Sequence, residues 1–344
     1  MKKLHLVNTH GIGDVVMMLP LLSWLVQHWD GQIALTLKSE VEVAVIKELL
    51  PEASFEFFTL KVCSVRELLT YVKNVRKANF DTLVSSYGVN PYKFSLLSQL
   101  LNSSTVIGWP SKLSFLNTVT NSYQLERHKV YRHMSLAPLI VPEADQLTNP
   151  PCYPPYSEIL DYDKGNGIKF ELTGENYEIV FAPGSGELES HKRWPAIRYA
   201  ELANRLLHYN PKFNISILGS ASERSLAEQI IQRIKQSHRV ANFVGAKSIE
   251  DSIRFIAKSD VVVANCNGLS HIASAVQTPV VGLYGPTDVM LTGVFSDYSY
   301  PVTSSMDCSP CYGSGSLTGC GHPVCMISIS VDEVYEAVLR ALSS

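Results

Sequence analysis

The chain has 344 residues, 46% of them hydrophobic and 18% charged, with a formal net charge of −3. That length suggests two domains with ample core material, and the composition excludes a disordered or low-complexity chain. Acids and bases are mixed along the sequence, so the basic field of a sequence-independent nucleic-acid binder is missing and no nucleic-acid partner is expected.

Met1-Lys2-Lys3 starts like a secretory signal, but His5 interrupts the apolar run and Asn8 ends it, too early for an h-region. The longest apolar stretch, Val15 to Val26, contains Pro20 and is too short to span a bilayer. A cytoplasmic protein is expected, with peripheral contact at the cytoplasmic face of the inner membrane left open.

In chain order, Leu4–Asn8 reads as a strand, followed by a loop over Thr9–Gly13 and a helix from about Asp14. Strands follow at Ile33–Leu37, Ser54–Leu60, Thr82–Ser86 and Thr105–Gly108, with helical patterns at Val41–Leu50, Val65–Lys77 and Tyr92–Leu101. Breakers crowd residues 141–175, as in Asn149-Pro150-Pro151-Cys152-Tyr153-Pro154-Pro155, and mark an inter-domain connection. A second series then begins with strands at Tyr177–Ala182, Asn214–Leu218, Val240–Val244, Asp260–Ala264 and Pro279–Tyr284. Its helices are expected at Ala196–Tyr209, Ser222–Lys235, Ile249–Ala257, after Gly268 and at Val331–Leu342. This alternation predicts two doubly wound parallel sheets, with ligands at the C-terminal ends of the strands in a cleft between domains.

Three strand-to-helix turns stand out. His10-Gly11-Ile12-Gly13-Asp14 follows the first strand; it lacks the third glycine of a dinucleotide fingerprint, and Asp14 would repel a phosphate there. Asp14 reads either as a helix cap or as a carboxylate general base favoured by the helix N-terminus. Ala182-Pro183-Gly184-Ser185-Gly186 leads to Lys192-Arg193-Trp194-Pro195, where Ser185 and loop amides suit a diphosphate and Lys192 its charge. The plainer reading is an ordinary turn with Trp194 in the packing. Asn265-Cys266-Asn267-Gly268-Leu269-Ser270-His271 is the third, and Gly219-Ser220 and Gly245-Ala246-Lys247-Ser248 extend the rim of small residues.

Seven cysteines include three scattered ones (Cys63, Cys152, Cys266) and a cluster, Cys308, Cys311, Cys320 and Cys325. Two, eight and four residues separate the clustered ones, and Gly313, Gly315, Gly319 and Gly321 permit sharp turns. In a reducing compartment the cluster reads as a structural zinc or iron site or as plain thiols, rather than a disulfide framework. The run His128-Lys129-Val130-Tyr131-Arg132-His133 is basic and aromatic, either a phosphate-facing surface or a solvated helix face. The apolar Phe94–Leu101 and Leu113–Phe115 stretches read as core, with membrane contact as the alternative.

Taken together, Gly-Ile-Gly-Asp (11–14), Pro-Gly-Ser…Lys-Arg-Trp-Pro (183–195), Asn-x-x-Gly-Leu-Ser-His (265–271), Thr-Pro-Val-Val-Gly-Leu-Tyr-Gly-Pro-Thr (278–287) and the cysteine cluster resemble glycosyltransferase family nine. These are the bacterial lipopolysaccharide heptosyltransferases, and the resemblance spans essentially the whole chain in the same order. It implies the GT-B fold, two Rossmann-like α/β domains flanking a cleft. Residues 1–160 would bind the acceptor; residues 161–344, with the cysteine cluster 308–325 and a C-terminal helix, would bind the nucleotide sugar.

The resemblance further implies inverting transfer of a heptose from ADP-heptose to a lipopolysaccharide-core acceptor, with no cofactor for catalysis. Asp14 matches the family's base, and Gly184, Ser185 and Lys192 its donor-phosphate contacts. Asn267, Gly268, Leu269 and His271 match the donor turn, Lys247 a position beside the nucleobase, and Ser220 the adjoining turn. Gly13, His128, Lys129 and Arg132 are expected on the acceptor side. One departure is Cys266, where the family usually carries Asp; a neutral thiol cannot accept the hydrogen bonds a carboxylate would. Another nucleotide sugar, or an O-antigen, capsule or protein acceptor, is therefore the alternative within the family. A non-catalytic sugar-nucleotide binder or an epimerase is the alternative outside it; the retention of Asp14, Lys192 and His271 argues against the binder, and an epimerase would release free sugar or an isomer without needing an acceptor.

Overall fold

Short β-branched runs bounded by breakers become strands, and the amphipathic stretches between them become the crossover helices. The computed structural model describes residues 2–60, 64–122, 126–143, 151–156, 176–311 and 323–343. Cys63, Cys320, the glycines at 313, 315, 319 and 321, and the expected boundary at 160/161 lie outside the described residues. The chain divides into two compact units, Met1–Pro154 and Pro155–Ser344.

The first unit runs β1 (Lys2–Val7), α1 (Ile12–His28), β2 (Gly31–Leu37), α2 (Glu40–Leu49), β3 (Phe55–Thr59), α3 (Val65–Ala78), β4 (Thr82–Ser85), α4 (Pro91–Leu101) and β5 (Thr105–Gly108). A 3-10 turn (Ser114–Leu116), β6 (Val119–Thr120), α5 (Lys129–Met134) and α6 (Ala137–Ile140) complete it. All pairings are parallel, in the order β3-β2-β1-β4-β5-β6. Central β1 sets Leu6 opposite Leu35 on one side and Val84 on the other. It is flanked by helices on both faces, hence its apolar run. Helix starts follow side-chain caps: Ser64 Oγ accepts from Glu67 N, and Asn90 Oδ1 from Lys93 N beside Pro91. Asn79 and Asn102 close α3 and α4 in the left-handed conformation.

The second unit begins with β7 (Tyr177–Ala182), a 3-10 turn (Glu187–Lys192), α7 (Ala196–Tyr209), β8 (Phe213–Ile217), a second 3-10 turn (Ala221–Glu223) and α8 (Arg224–Ile231). It continues with β9 (Val240–Asn242), α9 (Ile249–Ala257), β10 (Val261–Asn265), α10 (Gly268–Ala275), β11 (Val280–Tyr284), α11 (Val289–Thr292), β12 (Ser299–Thr303), α12 (Val324–Ser328) and α13 (Val331–Leu342). Its parallel sheet has the order β12-β11-β10-β7-β8-β9. Counted within the unit, that is the same Rossmann order as in the first. Its core gathers Phe181, Trp194, Tyr199, Phe213 and Leu283 with Val334 and Val338 of α13.

Two expected elements are shorter than their patterns suggest. The helix expected over Ser222–Lys235 is a 3-10 turn followed by α8, because Glu223 turns its carboxylate back onto the Ser220 amide. The strand expected over Val240–Val244 stops at Asn242, whose Oδ1 accepts from Val244 N before Gly245 turns at φ +68°.

In each sheet the order reverses beside the unit's first strand, between β1 and β4 and between β7 and β10. In open α/β sheets, ligands bind at the carboxyl ends of the strands flanking such a switch point. The three turns singled out by sequence follow β1, β7 and β10.

Candidate active site

In the first unit β1 delivers the chain into a tight turn. Asn8 Oδ1 accepts from His10 N at 2.9 Å, and Gly11 caps α1 without a side-chain bond. Gly88, after β4, takes φ +95°, and a Cβ there would lie 3.0 Å from His10 Nε2. The loops after β1 and β4 therefore close on each other at the switch point.

Asp14 sits in the first turn of α1, past the cap position, so the plain helix-cap reading does not hold. Its Oδ1 receives Lys129 Nζ at 2.8 Å, with the two side chains 19% and 23% exposed. Lys129 opens α5, which packs along α1. Burial alone would raise the Asp14 carboxyl, but Lys129, with His10 and His133 nearby, more than offsets it and holds the group below the ordinary carboxylate range. The helix N-terminus favours the same charged form. The result is a carboxylate kept ionised at a strand end.

The rest of the basic run turns inward, contrary to both expectations for it. Arg132 is buried, donating through Nε to Arg127 O at 2.6 Å and through Nη1 to the Tyr87 hydroxyl, with its guanidinium 4.7 Å from that ring. His133 is fully buried and its pKa is pushed down to about 3 by burial, against the pull of Asp14. His128, half-buried, caps α5 by accepting from Val130 N. Gly13 lies in the first turn of α1 beside Asp14.

In the second unit two asparagines stitch the switch-point turns together. Asn265 Nδ2 donates to Pro183 O at 2.7 Å, and Asn267 Nδ2 to Ala182 O and Gly184 O at 3.0 and 2.9 Å. Asn267 Oδ1 also caps α10 by accepting from Ser270 N. Its side chain is thus spent on scaffold, leaving the Gly268 and Leu269 end of α10 as the anion-favouring feature. His271, one turn in, is buried.

Ser185 Oγ donates to Glu189 O and accepts from Arg193 Nε. Lys192 is buried and ion-pairs with Glu189 at 2.7 Å. Trp194 is wholly buried, donating from Nε1 to Ile329 O, a packing role as expected. Lys247 holds its ammonium 4.3 and 4.9 Å from the rings of Phe243 and Phe255. Cys266 Sγ faces Thr292 O at 3.8 Å.

Glu223 was not legible as a site residue. Its Oε2 accepts from Ser220 N and Oγ, and a Cβ on Gly184 would lie 1.7 Å from its Oε1. A carboxylate therefore stands against the glycine of the turn after β7. The only sequence signal was the Ser-x-x-Glu spacing of a capping box, which says nothing of the loop it meets. Gly245 N donates to Gly219 O, drawing the turn after β9 onto the same rim. The structure thus gathers Gly184, Ser185, Ser220, Asn267, Gly268 and Leu269 along the carboxyl edge of one sheet.

Of the clustered cysteines, Cys308 and Cys311 are exposed and Cys325 is buried. Cys311 N donates to Pro286 O, and a Cβ on Gly285 would lie 2.9 Å from Cys325 Sγ, so the Cys311 backbone and the Cys325 thiol flank the turn after β11. Among the described residues no group of three or more metal-ligating side chains forms, and Cys320 lies outside them.

Two doubly wound parallel sheets of one strand order, each presenting a turn-and-helix cradle at its switch point, define a two-Rossmann α/β protein of the GT-B class. The sequence profile described as "Glycosyltransferase family 9 (heptosyltransferase)" matches residues 68–322, roughly three quarters of the chain, and the chain belongs to that family. Lipooligosaccharide heptosyltransferase 2 of Haemophilus influenzae is 32% identical over 201 residues, 55% of this chain and 56% of the relative. Lipopolysaccharide heptosyltransferase 2 of Salmonella typhimurium is 34% identical over 120 residues, 34% of each. The chain thus spans about half or less of these curated relatives in alignment. The solved structure of Escherichia coli ADP-heptose lps heptosyltransferase II superimposes with a TM-score of 0.75 at 21% identity, covering 99% of this chain and 98% of that one.

Proposed function

We propose that the chain transfers a heptose from ADP-heptose to a lipopolysaccharide-core acceptor with inversion, using Asp14 as general base. The supporting observation is the carboxylate held ionised at the carboxyl end of β1 by Lys129. Asp14 takes the proton of the acceptor hydroxyl as its oxygen bonds to the anomeric carbon. The bond from that carbon to the phosphate oxygen breaks, and ADP departs with the electron pair. Lys192, the Gly184–Ser185 turn and the Gly268–Leu269 end of α10 stabilise the diphosphate charge. Ser220, Lys247 and His271 line the donor side, Glu223 meets the ribose hydroxyls, and Asn267 holds the turns in register. Gly13, His128 and Lys129 face the acceptor, while Arg132 acts indirectly by fixing Tyr87. The domain roles, acceptor in the first unit and nucleotide sugar in the second, belong to the same proposal. The names of the relatives support heptose as the transferred sugar, and that of the E. coli structure supports ADP as carrier.

The test is Asp14→Ala. Transfer should fall by about 10²–10⁴-fold while the dissociation constant for ADP, read by calorimetry, stays within about twofold of wild type. Wild-type turnover in this variant would remove the base assignment.

One observation favours a different nucleotide sugar: Cys266 offers a thiol to the Thr292 carbonyl, where a carboxylate would accept donor hydroxyls. Thermal unfolding with ADP-heptose, ADP and UDP-, GDP- and dTDP-sugars separates the two. A ligand at about a hundred times its dissociation constant adds about 2.7 kcal/mol. Selective stabilisation by ADP and ADP-heptose upholds the donor; stabilisation by another nucleotide alone overturns it and leaves the fold standing. The cysteine cluster takes no part in the chemistry; a structural zinc or iron there would appear as one metal equivalent per chain in elemental analysis, and its absence would leave plain thiols.

A further inference from the structure

We infer that the outer side of α3, α4 and the 3-10 turn Ser114–Leu116 is a docking surface for an anionic lipid bilayer. No helix among the described residues is long and apolar enough to cross a membrane, so this concerns surface contact. It is independent of which sugar is transferred.

Right-handed crossovers from β3 to β4 and from β4 to β5 place α3 and α4 on one face of the first sheet, where they pack side by side. Their inner sides supply Tyr71, Val72, Val75, Phe94 and Leu101 to the core. Their outer sides should then be uniformly polar, yet large apolar side chains stand exposed among the charged ones. Val65 and Leu69 on α3 are 74% and 61% exposed, and Tyr92, Leu96 and Leu100 form an i, i+4, i+8 stripe along α4, with Leu96 57% exposed. Phe115 is the most exposed large apolar side chain described, at 77%. Its turn is tied to α4 by Ser95 Oγ donating to Asn117 Oδ1 and Gln99 Nε2 to Leu116 O. Of the eight exposed large apolar side chains described in this unit, six lie on these three elements.

Charge selects the occupant. Arg66, Lys73, Arg76 and Lys77 on α3, Lys93 on α4 and Lys112 ahead of the turn are all exposed, against a single acid, Glu67. Six cations to one anion stand out in a chain whose formal net charge is −3. Apolar side chains interleaved with long basic ones match the boundary between acyl chains and anionic headgroups, where lysine stems lie along the apolar layer and reach up to phosphate. A second copy of this chain would set like charge against like, and is disfavoured for that reason.

The experiment is co-sedimentation of the whole chain with vesicles of phosphatidylcholine alone and with a third phosphatidylglycerol. Partition onto the anionic vesicles should exceed that onto neutral ones by at least about tenfold and fall as salt shortens the range of the charges. Lys73→Gln, Lys77→Gln and Lys93→Gln should each weaken it by about fivefold. Combined Leu96→Ser, Leu100→Ser and Phe115→Ser should abolish retention at every salt concentration while leaving the melting temperature unchanged. Should the apolar triple variant unfold, the lysine series and the lipid and salt dependence of the wild type carry the test. Equal or no binding to the two vesicle types, or lysine variants that bind like wild type, would overturn the inference. So would an apolar variant that only turns a dimer into a monomer, which would assign the face to a second copy.

Discussion

Asp14 and Lys129 stand 115 positions apart in sequence and 2.8 Å apart in the fold. The turn chemistry around Gly11 and Gly13 made Asp14 legible as a strand-end carboxylate, and the basic run made Lys129 legible as a surface cation. Nothing in spacing or composition could pair them, because the pairing depends on α5 returning along α1. The pair has a pH signature. A carboxyl held below its ordinary value in the folded chain stabilises the fold at neutral pH and loses that contribution as pH falls through the folded value. Removing Lys129 leaves burial, which acts in the opposite direction. In Lys129→Met the acid limb of the transfer rate should therefore move up by about one to three pH units, and the chain should be less stable at neutral pH while Asp14 no longer adds to the loss of stability on acidification. Lys129→Arg, which keeps the charge, should restore most of both. An acid limb that does not move in Lys129→Met would show that Lys129 does not set the state of Asp14.

Among the elements, legibility followed the length of the pattern. Periodic helices such as α7, α9 and α13 lie where their patterns placed them, as does β7 with its unbroken apolar run. The edge strands β6 and β12 were not: β6 has two residues, and β12 carries Pro301, tolerated there because an edge strand has a free side. For the six-residue α5 a helix face was among the readings, but its burial was hidden, because Val130, Arg132 and His133 mix polar with apolar in too short a span for a buried side to show. Turn residues were legible as turns, but not in their partners. Gly184 is the clearest case, since its lack of a side chain is what admits Glu223. Gly184→Ala should drive Cβ into that carboxylate, costing about 1–3 kcal/mol and weakening ADP binding. Pairing it with Glu223→Ala should recover the stability but not the affinity, if the carboxylate contacts the ribose. Thermal melts and ADP titrations of the two single variants and the double variant separate these effects.

Across the whole molecule, the candidate residues divide between two units with separate hydrophobic cores, a division that the repeated strand–helix series foretold and the repeated Rossmann order bears out. If each unit carries one substrate, substitutions in one should disturb one binding event only. Lys192 is buried beside Glu189, so Lys192→Ala removes the cation meant for the diphosphate and leaves that carboxylate facing it. A lost charge-assisted contact is worth about 1.5–3 kcal/mol, so the ADP dissociation constant should rise by about 10- to 150-fold. Glu189→Gln alone should leave or tighten ADP binding, because it frees Lys192 for the ligand. Asp14→Asn should leave that constant alone and act on kcat, since the first-unit carboxylate enters only when the acceptor proton moves. Measuring ADP affinity and turnover for all three variants gives a pattern that a single shared site would not produce. Loss of ADP binding in Asp14→Asn would place donor and base in one unit's chemistry and refute the division of labour.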